Sequence, residues 1–543
     1  MHVGQIRLIV VCDVYAQEAN GEGSGGYAQL ATLVKQLRTE RSLVCLCGDF
    51  LAGSSLADKF KGENVVAVMN EIGIDVVVFG NHEFDYGDDV LEARMRQSSA
   101  LWLGSNVIDR RTGAPFGGAS DRHCFDFSFP LPHANGDGSG GDEAARELQV
   151  RLGMFGVCTD DTRELSYPSD EIEFQCVEKA AKRALDELDA DGADVVVGLT
   201  HLSLLEDQRL AAALAGHTQS HNRLADSQGL AAGRRRQPVT ALLGGHDHLT
   251  HTSLKHGMLV MKCGQDAHHV GVIDIHVRKS GAGDDLEFHC DWRMVANRHV
   301  EADEAVVKII NGFKAAVHSA HDPAYLQEVL TTVQLGPLST LSSEVRTRST
   351  FIGNFLADCI RDTFRYVDPR TSGEASERQA DVAVINSGTV RGNRTYASGA
   401  ALTRIAVMEE FPMRLEVDVV ELTGSQLRQV LEQHLAKYPE PSGCFPNVTR
   451  NVRVKFDGSK PRFERIQELL VDGRPATPQD RYQVATSSFL SGGGDGCTAY
   501  KEGVKVVSTE EKMLSLLDTY LCTSHRTIAD AATCENRVKD TRL

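Results

Sequence analysis

An α/β fold in two domains is predicted for this chain, on three observations. Short apolar runs alternate with helical patterns in both halves of the 543 residues. That length exceeds what one hydrophobic core ordinarily serves. A helical stretch separates the two alternating regions, which places a first domain at 1–300, a linker at 301–335 and a second domain at 336–543.

In the first domain, five apolar runs each lead to a residue able to bind a metal. Ile6 to Cys12 leads to Asp13, Ser42 to Cys47 to Gly48-Asp49, and Val76 to Gly80 to Asn81-His82. Val195 to Thr200 leads to His201, and Val239 to Gly245 to His246-Asp247-His248. Helical patterns such as Tyr27–Leu37 and Val177–Leu188 lie between them. Two insertions interrupt the pattern. His133 to Gly141 is rich in Gly, Asp and Ser without periodicity, and is predicted to be disordered. Gly216 to Pro238 carries Arg234-Arg235-Arg236, read as part of a solvated loop in preference to a phosphate clamp. Glu301 to Leu330 reads as a helical connector, with Val306, Ile309, Ile310, Phe313 and Val317 on one stripe. In the second domain, strands are expected at Asp381–Ile385, Val417–Leu422 and Tyr482–Thr486. Helices are expected at Ile352–Phe364, Ser425–Leu435 and Glu510–Leu521.

Composition narrows the class. A formal net charge of −18 argues against nucleic acid as a partner. An acidic protein that handles anionic substrates needs local positive charge, from metals or a few arginines. The 13 cysteines are scattered, and Cys12, Cys45 and Cys47 fall inside apolar strands. Buried reduced thiols fit this better than a disulfide framework. Thiolate metal sites are expected to show paired short spacings. Cys45-x-Cys47 alternates within a strand and is read as core. The N-terminus enters a strand without a leader pattern, no apolar stretch reaches membrane-spanning length, and the C-terminus is charged. A soluble cytoplasmic protein with no membrane partner is expected.

In open α/β sheets, ligands gather beyond the carboxyl ends of the strands. The five strand ends therefore predict one constellation of Asp, Asn and His, suited to Mn, Zn, Fe or Mg. Asp49, on a tight turn after Gly48, can bridge two ions about 3.5–4 Å apart. Asp13 would serve one ion, Asn81 and His201 the other, with His246 and His248 split between them. His82 follows Asn81 and can face a leaving-group oxygen, and Asp85 is near enough to hold its imidazole.

These segments resemble a family. GDF at 48–50, GNHEFDYG at 80–87, THLS at 200–203 and GGHDH at 244–248 resemble the calcineurin-like metallophosphoesterases. Within these, the chain resembles the 5′-nucleotidase / UDP-sugar hydrolase / 2′,3′-cyclic phosphodiesterase family. The resemblance implies a metallophosphoesterase β-sandwich flanked by helices, a helical linker and a second α/β substrate-binding domain. It also implies one or two divalent ions (Mn, Zn, Co or Mg) and a nucleotide or related small phosphoester as substrate. Val345-Arg346-Thr347-Arg348 with Gly353-Asn354 is similar to the family's arginine segment, and Asn386 to Arg391 to its Asn-Gly-Gly-Gly-Ile-Arg element. Phe489 to Gly496 is similar to its nucleoside loop. By that resemblance Arg346 and Arg391 contact the anionic substrate and ribose, with Arg348 and Asn386 in the same elements. Phe489 stacks on the base and Asp495 bonds the sugar hydroxyls.

Three departures stand out. The family's Asp-x-His is Asp13-Val14-Tyr15 here. A neutral phenol, with a pKa near 10, is a poor ligand for Zn or Mn, whereas a phenolate suits ferric iron. Either Tyr15 ligates, or it packs beside a mononuclear site. In the base clamp, Met413 stands where the family has a Phe, with Phe411 two residues earlier. Ser387 and Thr389 replace glycines. The expected activity is metal-dependent hydrolysis of a nucleotide by a metal-bound water, with His82 and Asp85 at the leaving group and domain closure about the connector. Rival readings are a cyclic-nucleotide phosphodiesterase, a UDP-sugar pyrophosphatase, and a degenerate non-catalytic nucleotide binder.

Overall fold

The computed structural model describes residues 2–19, 24–130, 147–227, 239–279, 286–318, 323–334, 337–368, 370, 377–413, 415–524 and 536–542. The insertion at His133–Gly141 and the triplet Arg234–Arg236 lie outside the described residues. The chain divides into two compact units, Met1–Ala52 with Phe60–Phe313, and Gly53–Lys59 with Lys314–Leu543.

The first unit is a β-sandwich. Its strands in chain order are β1 (His2–Val11), β2 (Ser42–Leu46), β3 (Val76–Val78), β4 (Leu101–Leu103), β5 (Arg122–Pro130) and β6 (Glu147–Cys158). They continue as β7 (Val195–Leu202), β8 (Val239–His246), β9 (Thr250–Lys255), β10 (Met258–Cys263), β11 (His269–Lys279) and β12 (Leu286–Ala296). One six-stranded sheet runs β12-β11-β1-β2-β3-β4, the other β9-β10-β8-β7-β6-β5. β1 to β4 pair in parallel, as do β6, β7, β8 and β10. Parallel strands covered on both faces read as continuous apolar runs, and every residue of β2 is buried. Alternate residues then split between layers. Ile6, Leu8, Val10, Cys45 and Val76 meet Leu152, Val195, Val197, Leu199 and Leu243 in the core between the sheets. The opposite face of the second sheet, through Val196 and Leu242, packs on Ala181, Ala184, Leu185 and Leu188 of the helix Val177–Ala190. Each such large aliphatic side chain contributes about 1.5–3 kcal/mol on burial.

The second unit is built on a mixed five-stranded sheet in the order Pro446–Val448, Val382–Asn386, Arg481–Ser487, Glu416–Thr423, Val504–Lys512. Period-two alternation gives it two cores. Ala383, Ile385, Val417 and Val419 face the helices Phe351–Thr363 and Met513–Ser524. Val382, Val384, Val420 and Leu422 face the helix Gly424–His434. That helix starts at a capping box, Thr423 with Gln426. Both units are α/β.

Two boundaries differ from the sequence reading. Residues 510–512 finish a strand rather than open a helix, because Lys512 pairs with Glu416 across the sheet. The connector contains the helices Glu304–His318 and Pro323–Gln327, but Val329 and Leu330 belong to a strand, Val329–Thr332, paired with Ala401–Thr403. Among the described residues, no helix is long and apolar enough to cross a membrane.

Candidate metal centre

The carboxyl ends of β1, β2, β3, β7 and β8 bring Asp13, Asp49, Asn81, His201, His246 and His248 to one pole of the sandwich. Asp49 Oδ2 lies 3.2 Å from His201 Nε2. His246 donates its backbone N–H to both oxygens of Asp13, at 3.1 and 3.0 Å, and its Nδ1 is 3.0 Å from Asn81 Oδ1. His248 Nε2 is 3.5 Å from Asp13 Oδ1. Asp13, Asp49 and His201 are all but inaccessible to solvent, at 0%, 2% and 0% exposure. His201 lies within β7, one residue before its end, and the other five lie at or beyond the ends of their strands.

The backbone is bent to serve this cluster. Asp13, Asp49, His246 and His248 have φ values of 53°, 57°, 92° and 61°. Such left-handed conformations cost non-glycine residues energy and concentrate at functional sites. Gly48, with φ 78°, is needed for a second reason: a Cβ there would come 2.5 Å from His201 Nδ1.

Two carboxylates buried this deeply need a cation. They pair with the histidines His201, His82 and His248, and the buried Lys262 ammonium acts on Asp13 from further away. Burial, with Cys12 and Asp49 adding to it, pushes the Asp13 carboxyl well up. Burial opposes ionisation of Asp49 as well, but His201 and His82 outweigh it and hold that carboxyl well below its ordinary range. Burial would lower His201, yet Asp49 and then Asp13 raise it to about 9. The buried His201 Nε2 atom is turned to the Asp49 carboxylate, and its Nδ1 meets the Cys47 carbonyl at 2.7 Å. Buried carboxylate, carboxamide and imidazole donors converging on one point fit a divalent cation site, with the cation taking the place of the proton that His201 holds against Asp49. Asp49, His201 and His246 offer ligand atoms within 4.8 Å of one another.

His82 stands at the edge of the cluster. Its Nδ1 is 2.8 Å from Asp85 Oδ2, and Ser166 donates to the other Asp85 oxygen at 2.7 Å. His82 Nε2 points inward, 3.9 Å from Asp49 Oδ2. The first motif's tyrosine does not turn away. The Tyr15 hydroxyl lies 3.0 Å from Asp49 Oδ2, 3.0 Å from His248 Nε2 and 3.5 Å from Asp13 Oδ1.

The residues that hold this geometry escaped the sequence reading. Glu83 accepts four backbone N–H groups, from Asp49, Phe50, Leu51 and Gly80, at 2.8, 2.8, 3.1 and 2.6 Å. It fastens the Asp49 turn to the Asn81 turn. Its signal was its place inside GNHEFD. Lys262, on β10, is buried beneath the His246 turn. Its Nζ donates to the carbonyls of Leu202 and Gly245, both at 2.6 Å, and pairs with Asp207 and Asp247. Burial alone would discharge it, but the two aspartates outweigh that and keep the ammonium. Asp266 accepts the N–H groups of Tyr15 and Ala16.

Residues 6–250 match the family model of calcineurin-like phosphoesterases, and residues 329–502 that of the 5′-nucleotidase C-terminal domain. The chain thus pairs an N-terminal calcineurin-like phosphoesterase domain with a 5′-nucleotidase C-terminal domain. It is 23% identical over 518 residues to snake venom 5′-nucleotidase of Gloydius brevicauda, covering 92% of this chain and 81% of that one. It is 22% identical to the trifunctional nucleotide phosphoesterase protein YfkN of Bacillus subtilis (strain 168) over 88% of this chain, but spans only 31% of that protein. The solved structure of a 5′-nucleotidase precursor from Thermus thermophilus shares the fold, with a TM-score of 0.77 at 22% identity, covering 99% of this chain and 100% of that one.

In the 5′-nucleotidase C-terminal domain, the expected substrate residues are only partly brought together. Asn386 Nδ2 donates to Asp495 Oδ2 at 2.6 Å, and Asn386 Oδ1 accepts from Thr389 at 2.9 Å. Arg391 Nε donates to the Gly388 carbonyl at 2.6 Å, beside the same turn. The Phe489 ring lies against Gly494, where a Cβ would come 2.5 Å from it. Arg346 is buried, whereas Arg348 is surface-exposed and paired with Glu344 at 2.8 Å. Met413 is half-buried. Its neighbour Phe411 packs in one core of the sheet and Phe489 against the other, so Phe411 is not the ring that faces Phe489.

Proposed function

We propose that the chain hydrolyses small nucleotide phosphoesters, nucleoside 5′-monophosphates foremost, and so serves nucleotide breakdown. The observation that carries this is the convergence of six Asp, Asn and His ligands beside an inward-facing His82. Asp13, Asp49 and His248 would hold one ion, and Asn81, His201 and His246 the other, with Asp49 shared. Divalent ions bound there (Mn, Zn, Co or Mg) supply polarisation of a phosphoryl oxygen and a water of lowered pKa. His82, oriented by Asp85 and Ser166, places its Nε2 proton for the departing oxygen, a role ordinarily worth about 10²–10⁴ in rate. Glu83 and Lys262 keep the ligand turns in register. The C-terminal domain would select the nucleoside with Phe489 under the base and Asp495 at the ribose, and Asn386, Arg346, Arg348, Arg391 and Met413 around them. Buried free thiols such as Cys45, Cys47 and Cys158 support a reducing, cytoplasmic setting.

The test is phosphate release from nucleoside mono- and diphosphates, cyclic nucleotides and UDP-glucose, after chelation and with each metal restored. Preference for a 5′-monophosphate supports the reading. Preference for cyclic nucleotides or UDP-glucose reassigns the enzyme, and silence on every substrate leaves a non-catalytic binder.

The position of Tyr15 supports a second reading of the metal. With its hydroxyl in reach of Asp13, Asp49 and His248, a phenolate there would suit ferric iron. Loading with Fe(III) should then give a visible phenolate charge-transfer band that Tyr15→Phe removes; a colourless protein rejects iron.

A further inference from the structure

A second buried cluster with ligand chemistry lies in the C-terminal unit, next to Asp495, whose side chain is given to the ribose above and whose backbone carbonyl faces the cluster. His434 is the last residue of the helix Gly424–His434, Cys444 sits just ahead of the strand Pro446–Val448, and Cys497 follows the turn Gly494–Gly496. All three are sealed in the core, at 1%, 5% and 0% exposure, and offer ligand atoms within 4.8 Å of one another. The Cys444 and Cys497 sulfurs are 3.9 Å apart, and Cys444 Sγ is 3.9 Å from His434 Nδ1. The Asp495 carbonyl oxygen caps the group, 3.4 Å from Cys444 Sγ and 4.0 Å from Cys497 Sγ.

These separations are those of a metal tetrahedron. With Zn–S near 2.3 Å and Zn–N or Zn–O near 2.1 Å, tetrahedral edges are roughly 3.8 Å for S···S and roughly 3.6 Å for S···N and S···O. The four observed distances lie close to these lengths. We propose that His434, Cys444, Cys497 and the Asp495 carbonyl form a structural zinc site, distinct in chemistry from the phosphoesterase centre.

The surroundings suit it. His434 Nε2 is 3.4 Å from the buried Tyr500 hydroxyl, so its N–H has an acceptor once Nδ1 ligates, the outer partner that metal-bound histidines commonly have. His434 Nδ1 meets the Cys444 carbonyl at 2.6 Å, a contact in which the ring must donate. Ligation therefore moves the ring proton from Nδ1 to Nε2, where the Tyr500 hydroxyl accepts it, and uptake of the metal releases the two thiol protons. Two thiolates, one imidazole and a carbonyl favour Zn(II) over Mg or Mn, which prefer oxygen donors. Packed thiols in an apolar core are the plain alternative, and Cys444, Cys497 and Tyr500 do belong to one of the two cores. The zinc reading differs from it in a measurable way.

The test uses the full chain, reduced and stripped with chelator, then titrated with Co(II) without oxygen. Sulfur-to-cobalt charge-transfer absorption in the near ultraviolet should appear and saturate as Co(II) fills both centres, and collapse on adding excess Zn(II). Cys497→Ser and Cys444→Ser should each abolish it. Asp49→Asn, which removes a ligand of the other centre, should retain it, so failure here is distinct from failure of the proposed function. No such band in the wild type overturns the site, as does a band that survives both cysteine variants. Should those variants not fold, the wild type still decides. Alkylation of Cys444 and Cys497, read by peptide mass spectrometry, should slow at least tenfold with zinc present, and equal rates overturn the proposal.

Discussion

The two buried histidine-bearing clusters of this chain are built on opposite plans. In the N-terminal unit the donor atoms are carboxylate, carboxamide and imidazole, carried on strand ends whose backbone is forced left-handed at four ligands. In the C-terminal unit two of the three side-chain donors are sulfur, delivered by a helix end and two loops and packed inside an apolar core. The first plan meets its carboxylate charge with a proton on His201 until a cation replaces it, and keeps His82 at its edge. The second closes around its donors in a core that solvent hardly reaches. Open borderline sites do chemistry, whereas closed thiolate sites hold structure.

The largest effect expected is at the edge of the first cluster. His82→Ala should lower kcat by about 10²–10⁴, measured as phosphate release at saturating nucleotide and metal. A fall of less than tenfold would break the contrast between a reactive and a structural cluster. The scaffold beneath comes next. Lys262→Met leaves Asp207 and Asp247 as buried carboxylates without their cation, and urea unfolding should show a loss of about 3–5 kcal/mol. An unchanged midpoint would mean the His246 turn does not depend on that ammonium.

Protons should compete with metal at the first cluster. In the metal-free fold the His201 pKa is raised from its ordinary 6.5 to about 9. Its attraction to Asp49 is therefore fully present below the ordinary value and is lost as pH rises through about 9. A cation must displace that proton, so its affinity should climb by about tenfold per pH unit below that point. Calorimetric titration of the chelated protein between pH 6.5 and 8.5 checks this, and a flat profile contradicts it.

The smallest effect serves as a yardstick outside both clusters. Arg7 and Arg293 pair with Asp274 at 2.7 and 3.3 Å. Burial opposes ionisation there, but Arg7 first and then Arg293 outweigh it and hold the carboxyl below its ordinary range. Asp274→Asn should cost about 1 kcal/mol at pH 7. Because the folded pKa is depressed, the difference should shrink as pH falls through it. A cost that persists in acid would show that packing, not charge, sets the effect.

What the sequence disclosed depended on how local each signal was. Asp13, Asp49, Asn81, His201, His246 and His248 were legible because each follows or ends a short apolar run, and their meeting point is a property of parallel strands. Glu83 was passed over although it lies inside the motif, since a carboxylate there looks like one more polar loop residue until its four backbone donors are seen. Lys262 gave no signal, because a lysine in an apolar strand looks exposed. The His434, Cys444 and Cys497 trio was hidden by spacing. Its members are 10 and 53 residues apart, far from the short pairs expected of thiolate sites. Residues 510–512 fall at the start of the helix expected at Glu510–Leu521, and pairing of Lys512 with Glu416 makes them the end of a strand.

The most direct test of the central claim is metal-restored phosphate release. Chelated full-length protein is assayed on a nucleoside 5′-monophosphate as Mn(II) is added back, beside Asp49→Asn, which removes the shared ligand. Turnover should vanish on chelation, return with metal in the wild type, and stay absent in the variant at every metal concentration. Release that survives chelation, or equal recovery in the variant, would contradict the assignment of this cluster as the catalytic metal centre.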